Sequence, residues 1–249
     1  MDWGNSVIDN NTSKNDEENF TARRFLFNTA IQRKVLSNLY LGVGYAYERL
    51  YDKETGGLLQ NADILGSEGG TVSGAGILGS WDSRDNNLYP SSGNYHQFSA
   101  ISYNSTLGSE FDFNSYLLDL RHYELIFGKH IFAMRGVAGF ITGNPSFQMM
   151  HHLGAYIRGY YHNRFRDRNL LVVETEYRLP LFRRFGMVAF AGCGQVAHDV
   201  QDFSFDGIKP SGGIGYRFVL IPEQKMNLRI DLGIGKDDSS FNITILEMF

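Results

Sequence analysis

Cysteine is almost absent from this chain: 249 residues carry one, Cys193. An internal disulfide and a four-cysteine metal site are therefore excluded. Proline is scarce as well, with 5 residues against 28 glycines. The formal net charge is −4, so no basic surplus points to nucleic acid as a partner. No apolar run approaches the roughly 18 residues of a membrane-spanning helix. That absence does not exclude a membrane, because barrel strands are apolar only at alternate positions and keep mean hydropathy low. The first residues, MDWGNSVIDNN, lack the basic start and apolar centre of a secretory signal. Either export is not needed, or the chain is a mature or truncated product.

What is abundant is aromatic: 19 Phe and 14 Tyr. Aromatics and glycine with little proline suit many strands joined by turns. Period-two alternation recurs from end to end, and no helical period exceeds two turns. Met226, Leu228, Ile230, Leu232 and Ile234 share one parity; Asn227, Arg229, Asp231, Gly233 and Gly235 share the other. Leu171, Val173, Tyr177 and Leu179 likewise oppose Glu174, Glu176 and Arg178. Phe132, Met134, Ala138 and Phe140 oppose Arg135 and Gly139, and Tyr116, Leu118 and Leu120 oppose Asp119 and Arg121.

These patterns predict strands near 20–34, 37–51, 70–83, 93–104, 112–125, 130–141, 168–180, 185–198, 209–221, 225–236 and 240–249, with 3–9 as a partial twelfth. Several exceed the usual 5–6 residues of soluble strands. Connections sort by length: short at 35–36, 84–92, 126–129, 181–184 and 222–224, longer at 10–19, 52–69, 105–111, 142–167 and 199–208, with 237–239 an exception. Short turns at one end and long loops at the other mark an outer-membrane barrel. A soluble sandwich also alternates apolar-in with polar-out, but does not call for strands this long or loops sorted by end. The expected fold is all-β, one antiparallel transmembrane barrel domain spanning 1–249, its apolar parity facing lipid and its charged parity facing the lumen.

Three segments then resemble one family, the BamA/TamA-type outer-membrane assembly and translocation barrels of the bacterial surface antigen family. SWDSRDNNLYPSSGNY at 80–95 is similar to the family's strand–turn–strand with its D-x-R-D, proline and glycine, here Asp82, Arg84, Asp85, Pro90 and Gly93. Arg158, Gly159 and Tyr160 are similar to the R-G-F/Y motif of a long inward-folded loop. ETEYRLPL at 174–181 is similar to the strand after that loop. The resemblance implies that 142–167 folds into the lumen and that Arg158 meets acidic wall residues, Glu176 ahead of Glu174. It also implies a role in inserting or translocating other proteins. The partners implied are outer-membrane lipid, client outer-membrane proteins, and periplasmic or lipoprotein accessory subunits, with no cofactor.

The chain departs from the family in three ways. Gly192 in AFAGCGQV stands where the family often places an aspartate. Eleven or twelve strands fall short of the family's sixteen, and no periplasmic POTRA domains are evident. The expectation is an incomplete barrel lacking N-terminal strands, with a small closed barrel as the alternative. The last strand ends on Phe249, as outer-membrane strands commonly do, although Glu247 interrupts its apolar parity.

Other candidate sites have simpler explanations. GAGILG at 74–79 fits G-x-G-x-x-G but sits in a strand with no helix after it, so close backbone approach explains its glycines better than a dinucleotide. Adjacent His151 and His152, with His162, lack the converging spacing of metal ligands. Asp82, Arg84 and Asp85 read as an ion network that holds a turn rather than as catalytic carboxylates. Cys193 shares parity with Met187 and Ala189, as an inert packed or lipid-facing thiol. No grouping of nucleophile, base and orienter falls at one rim, which speaks against a barrel-wall enzyme. A passive porin-like or structural barrel needs no R-G-Y loop.

Overall fold

The computed structural model describes residues 21–54 and 64–249, with side chains from 23–51 and 64–249. The expected partial strand at 3–9 and the loop at 10–19 lie outside the described residues. Eleven strands form one sheet: β1 (Thr21–Lys34), β2 (Leu39–Glu54), β3 (Gly70–Asp82), β4 (Gly93–Tyr103), β5 (Phe113–Ile126) and β6 (His130–Gly143), then β9 (Asn169–Pro180), β10 (Phe185–Ala197), β11 (Lys209–Ile221), β12 (Met226–Gly235) and β13 (Asp238–Ile245). The long loop between β6 and β9 holds a two-residue pair of its own, β7 (His151–His152) with β8 (Arg166–Asp167). Every neighbour in the large sheet is antiparallel and next in order along the wall. Within that order β1 and β13 stand at the two ends and do not pair with each other.

Burial follows the parity read from the sequence. In β9, Leu170, Val172, Glu174, Glu176 and Arg178 are buried while Leu171 and Val173 are exposed. In β12, Asn227, Arg229 and Asp231 are buried while Leu232 and Ile234 are exposed. A soluble sheet buries its apolar face; here charges are inside and aliphatics outside, the arrangement of strands between lipid and a polar lumen. The wall curls far enough that contacts bridge distant strands. Arg178 of β9 donates to the Pro90 carbonyl of the β3–β4 turn at 3.1 Å and to the Phe249 carbonyl at 2.8 Å.

The interior is filled mainly from the long-loop end. The long loop packs Leu153, Ile157, Tyr160 and Phe165 against Val137, Leu170, Val172 and Val196 of the wall. At roughly 1.5–3 kcal/mol for each large apolar side chain taken from water, this cluster is a substantial part of what holds the loop inside. A second cluster joins Val72, Tyr103, Phe111, Phe113 and Ile141, with the Tyr103 and Phe113 rings stacked at 4.3 Å.

The end of the chain corrects the sequence reading. The strand expected over 240–249 stops at Ile245. Leu246 adopts φ 76°, which turns the backbone off the sheet edge. Glu247 then accepts from Arg217 Nε at 2.7 Å and from Asn227 Nδ2 at 3.0 Å. Phe249 packs inside against Tyr123 and Ala133 instead of facing lipid. The physical reason is the interruption at Glu247: a carboxylate on that edge is better satisfied by lumen arginines than by lipid.

Candidate functional site: a loop docked on lumen carboxylates

Arg158 lies on the long loop between β7 and β8, and is 3 % exposed. Its Nε donates to Glu174 Oε1 at 2.8 Å, its backbone N–H to Glu174 Oε2 at 3.0 Å, and its Nη2 also reaches Glu174. Nη1 donates to Asp231 Oδ2 at 3.1 Å and forms an ion pair with Glu176 Oε2 at 2.6 Å. The guanidinium carbon sits 3.7 Å from the centre of the Phe190 ring on β10. Planar, forked and permanently charged, arginine suits this bidentate and stacked setting in a way lysine does not. Burial alone would push Arg158 down, but the carboxylates of Glu176, Glu174 and Asp231 outweigh it and hold the guanidinium above its usual value.

Period two along β9 brings Glu174 and Glu176 to the same face, one residue pair apart. Both named carboxylates therefore meet Arg158, and Glu174 takes the larger share of its hydrogen bonds, where sequence reasoning put Glu176 first. Glu176 is divided among cations: Arg178 Nε donates to it at 2.6 Å, and Arg217 Nη2 lies 3.6 Å away. Asp231 of β12 is the carboxylate that sequence reasoning missed. It supplies an acid where Gly192 does not, and also accepts from Arg217 Nη1 at 2.5 Å. Its signal was present as a charged lumen parity shared with Arg229, but the distance from Arg158 along the chain hid the pairing.

Gly159 and Tyr160 complete the docking. Gly159 has φ 101°, a left-handed conformation that favours glycine. A Cβ there would come within 2.8 Å of the Ile234 carbonyl, and one on Gly233 within 2.6 Å of Gly159 N. The loop backbone thus passes flat over β12 because both partners are glycine. Gly159 N donates to Ser240 Oγ at 2.9 Å. Tyr160 Oη donates to the Pro210 carbonyl at 2.6 Å and accepts from Lys236 N at 3.0 Å. Three consecutive residues therefore fasten the loop to β9 through β13.

The turn motif lies at the opposite mouth. Arg84 holds Asp82 through two bonds, Nε to Oδ1 at 2.9 Å and Nη2 to Oδ2 at 2.7 Å. Asp85 accepts from Ser91 N at 2.8 Å and Ser92 N at 3.1 Å, and closes the loop over Pro90. Gly93 has φ 98°, and a Cβ there would meet the Ser83 carbonyl at 2.2 Å. Arg178 links this turn to the rest: besides Glu176 and the Pro90 carbonyl, it holds the carbonyl of Phe249.

The remaining candidates are placed as follows. His152 and His162 stack edge to face at 4.3 Å, while His151 Nε2 is buried against Gly139. Among the described residues no three His, Cys, Asp or Glu side chains are placed to hold a metal ion. Cys193 is half-buried beside Leu171 and Val173 on the outer face, near Phe203 and Phe205. GAGILG lies in β3 and leads into the 83–92 turn.

An antiparallel wall with exposed aliphatics on one face, buried charges on the other and a long loop held against the charged face is the pattern of a transmembrane β-barrel. The Omp85 superfamily domain matches residues 2–238, and the chain belongs to that superfamily. The fold is similar to the crystal structure of BamA from Haemophilus ducreyi lacking POTRA domains 1–3, with a TM-score of 0.63 at 12% sequence identity. That similarity covers 91% of this chain and 54% of the solved one, so the chain spans about half the length of that protein. No curated protein matches the sequence.

Proposed function

We propose that this chain is an integral outer-membrane barrel domain that assists the insertion, assembly or translocation of other proteins. Its partners in this reading are client outer-membrane proteins and periplasmic or lipoprotein accessory subunits, with no catalytic step. The observation that carries the reading is the docking of Arg158 on Glu174, Glu176 and Asp231, which fixes a long loop inside the lumen. A passive pore has no use for a lumen occupied by 144–165, by the 83–92 turn and by 246–249. Arg158, Gly159 and Tyr160 act here as the loop lock, and Glu174 and Glu176 as its dock. Asp82, Arg84, Asp85, Pro90 and Gly93 act as a brace at the other mouth.

The test uses the full-length protein reconstituted in vesicles with an unfolded reporter barrel protein. Faster reporter folding with the native protein, lost on Arg158→Ala while the barrel itself stays folded, supports the reading. A steady open-pore conductance in planar bilayers with no effect on reporter folding would assign the chain to passive pores instead.

A further inference from the structure

The short-turn end of the barrel has a surface chemistry that the lumen lock does not use. Each of three turns pairs exposed apolar side chains with exposed cations. Between β1 and β2, Val35 and Leu36 follow Arg33 and Lys34. Between β5 and β6, Phe127, 85 % exposed, sits two residues before Lys129. Between β9 and β10, Leu181 and Phe182 precede Arg183 and Arg184. The exposed acids at this end are Asp85, Glu124 and Glu223, and Lys225 lies 3.9 Å from Asp85. Among the described residues the other end carries more exposed acids than cations, with Glu68, Glu110, Asp112, Asp199, Asp202, Asp206 and Asp237 against Arg23, Arg24, Arg49 and Lys236.

An apolar tip next to a cation, repeated at the level where the strands leave the hydrocarbon, matches a headgroup layer: the tip enters the acyl boundary while the charge stays among phosphates. In barrels the short turns face the periplasm. We propose that the short-turn rim binds the headgroups of anionic phospholipids in the periplasmic leaflet, with Lys34, Lys129, Arg183 and Arg184 as the phosphate-facing cations. Charge complementarity selects this occupant: a neutral lipid surface offers no counter-charge to four exposed cations, whereas the described residues of the opposite end carry a surplus of exposed acids. Binding of this kind fixes the depth and tilt of the barrel and gathers anionic lipid around its periplasmic mouth.

The full chain is reconstituted in phosphatidylcholine vesicles, with or without phosphatidylglycerol, and electron spin resonance of spin-labelled lipids measures which lipid the protein retains. The native protein retains phosphatidylglycerol over phosphatidylcholine. The preference falls by up to roughly fivefold for each cation removed in Lys34→Ser, Lys129→Ser, Arg183→Ser and Arg184→Ser combined. It also shrinks as salt shortens the screening length from about 8 Å. Lys236→Ser, at the other end, leaves it unchanged. If the fourfold variant does not give a heat-modifiable barrel, the Lys34→Ser/Lys129→Ser pair carries the same comparison. Equal retention of both lipids by the native protein overturns the proposal, as does a preference that survives the substitutions or is removed by Lys236→Ser. Salt-sensitive capture on immobilised polyglutamate without lipid selectivity would assign the rim to an acidic protein and overturn it too.

Discussion

The wall has two unlike regions. β9 and β12 alternate between buried and less buried positions, β10 and β11 add further buried residues, and Glu174, Glu176, Arg178, Arg217 and Asp231 are all at or below 3 % exposure. In β1, every residue from Arg23 to Lys34 is exposed, whichever face it occupies. Both regions have the same pleat and both pair antiparallel without interruption beyond one bulge in each of two registers. Two things differ: β1 lies at the edge of the sheet with no strand on its outer side, and little stands in front of its inner face. Loop 144–165 and residues 246–249 cover β9–β12, whereas Leu26, Asn28 and Ala30 of β1 line an open hollow of about 350 Å³ shared with Glu48, Val72 and Met149. A strand in this fold becomes half-buried where a neighbour flanks each edge and a segment fills the lumen in front of it.

The sharpest break of that contrast is at its centre. Arg158→Ala leaves Glu174, Glu176 and Asp231 buried around a missing cation, at a cost of about 3–5 kcal/mol. In a chaotrope titration of the reconstituted barrel, the variant is expected to lose the midpoint of β9–β12 and move it toward that of β1–β2. An unchanged midpoint would mean that the lock contributes nothing to the difference between the regions.

The inward end of the chain should follow. Phe249→Ala removes a buried ring from Tyr123 and Ala133, worth about 3 kcal/mol on the scale of buried phenylalanine truncations. Hydrogen exchange should then rise at Ile245–Phe249 and at the Pro90 turn, which share Arg178, while β1 is unaffected. Equal rises across all strands would refute a local role for the tail.

Acid offers a third route. Burial pushes His151 down to about 4, and His152 to about 2 with burial first and the Arg166, His162, His151 and Arg24 charges after it. An unfolded loop binds protons at these histidines near pH 6.5, and the docked loop does not. Loop stability is therefore full above pH 6.5 and falls as pH drops toward 4, by up to about 3 kcal/mol for each histidine. Protease access to 144–165 measures it, and should be pH-independent in His151→Gln/His152→Gln if the histidines are responsible.

How much of this was legible in the sequence divides along physical lines. Period two is local, so the lumen and lipid faces of β5, β6, β9 and β12 could be read residue by residue. Arg158, Gly159 and Tyr160 were visible through resemblance to a family, and Glu174 and Glu176 through parity on the adjacent strand. Asp231, Arg217 and Glu247 were not, because they reach the lock only once the wall curls and brings β11, β12 and the chain's end beside β9. The departure of 246–249 from β13 had one trace, the break in parity at Glu247. Its direction depended on Arg217 and Asn227, which no local pattern could supply.

A smaller effect tests backbone fit rather than charge. Gly159→Ala forces a Cβ into a backbone with φ 101° and against the Ile234 carbonyl, at about 1–3 kcal/mol. Since the Arg158 contacts are not touched directly, the loop should loosen over β12 before it leaves β9. Cross-linking between engineered cysteines at Tyr161 and Asp238, whose backbone N–H and carboxylate are 3.1 Å apart, reports the first step. Retained cross-linking in Gly159→Ala would show that flat passage over β12 is not required.

The smallest effect belongs to the uncovered region. Leu26 of β1 faces the inner side yet is exposed, and it touches the hollow rather than a packed core. Leu26→Ser should therefore change stability by less than about 0.5 kcal/mol, as for other exposed positions. The same change at Val172, on the equivalent inner face of β9, buries a hydroxyl among Leu153, Ile157 and Leu170 and removes two methyl groups from a filled site. That should cost about 1–3 kcal/mol. Measured side by side by the folded fraction in unheated gel migration against chaotrope, the two substitutions isolate what the docked loop adds to one face of one sheet. Equal costs at the two positions would mean that burial by the loop stabilises nothing, and the contrast between the two regions would lose its energetic content.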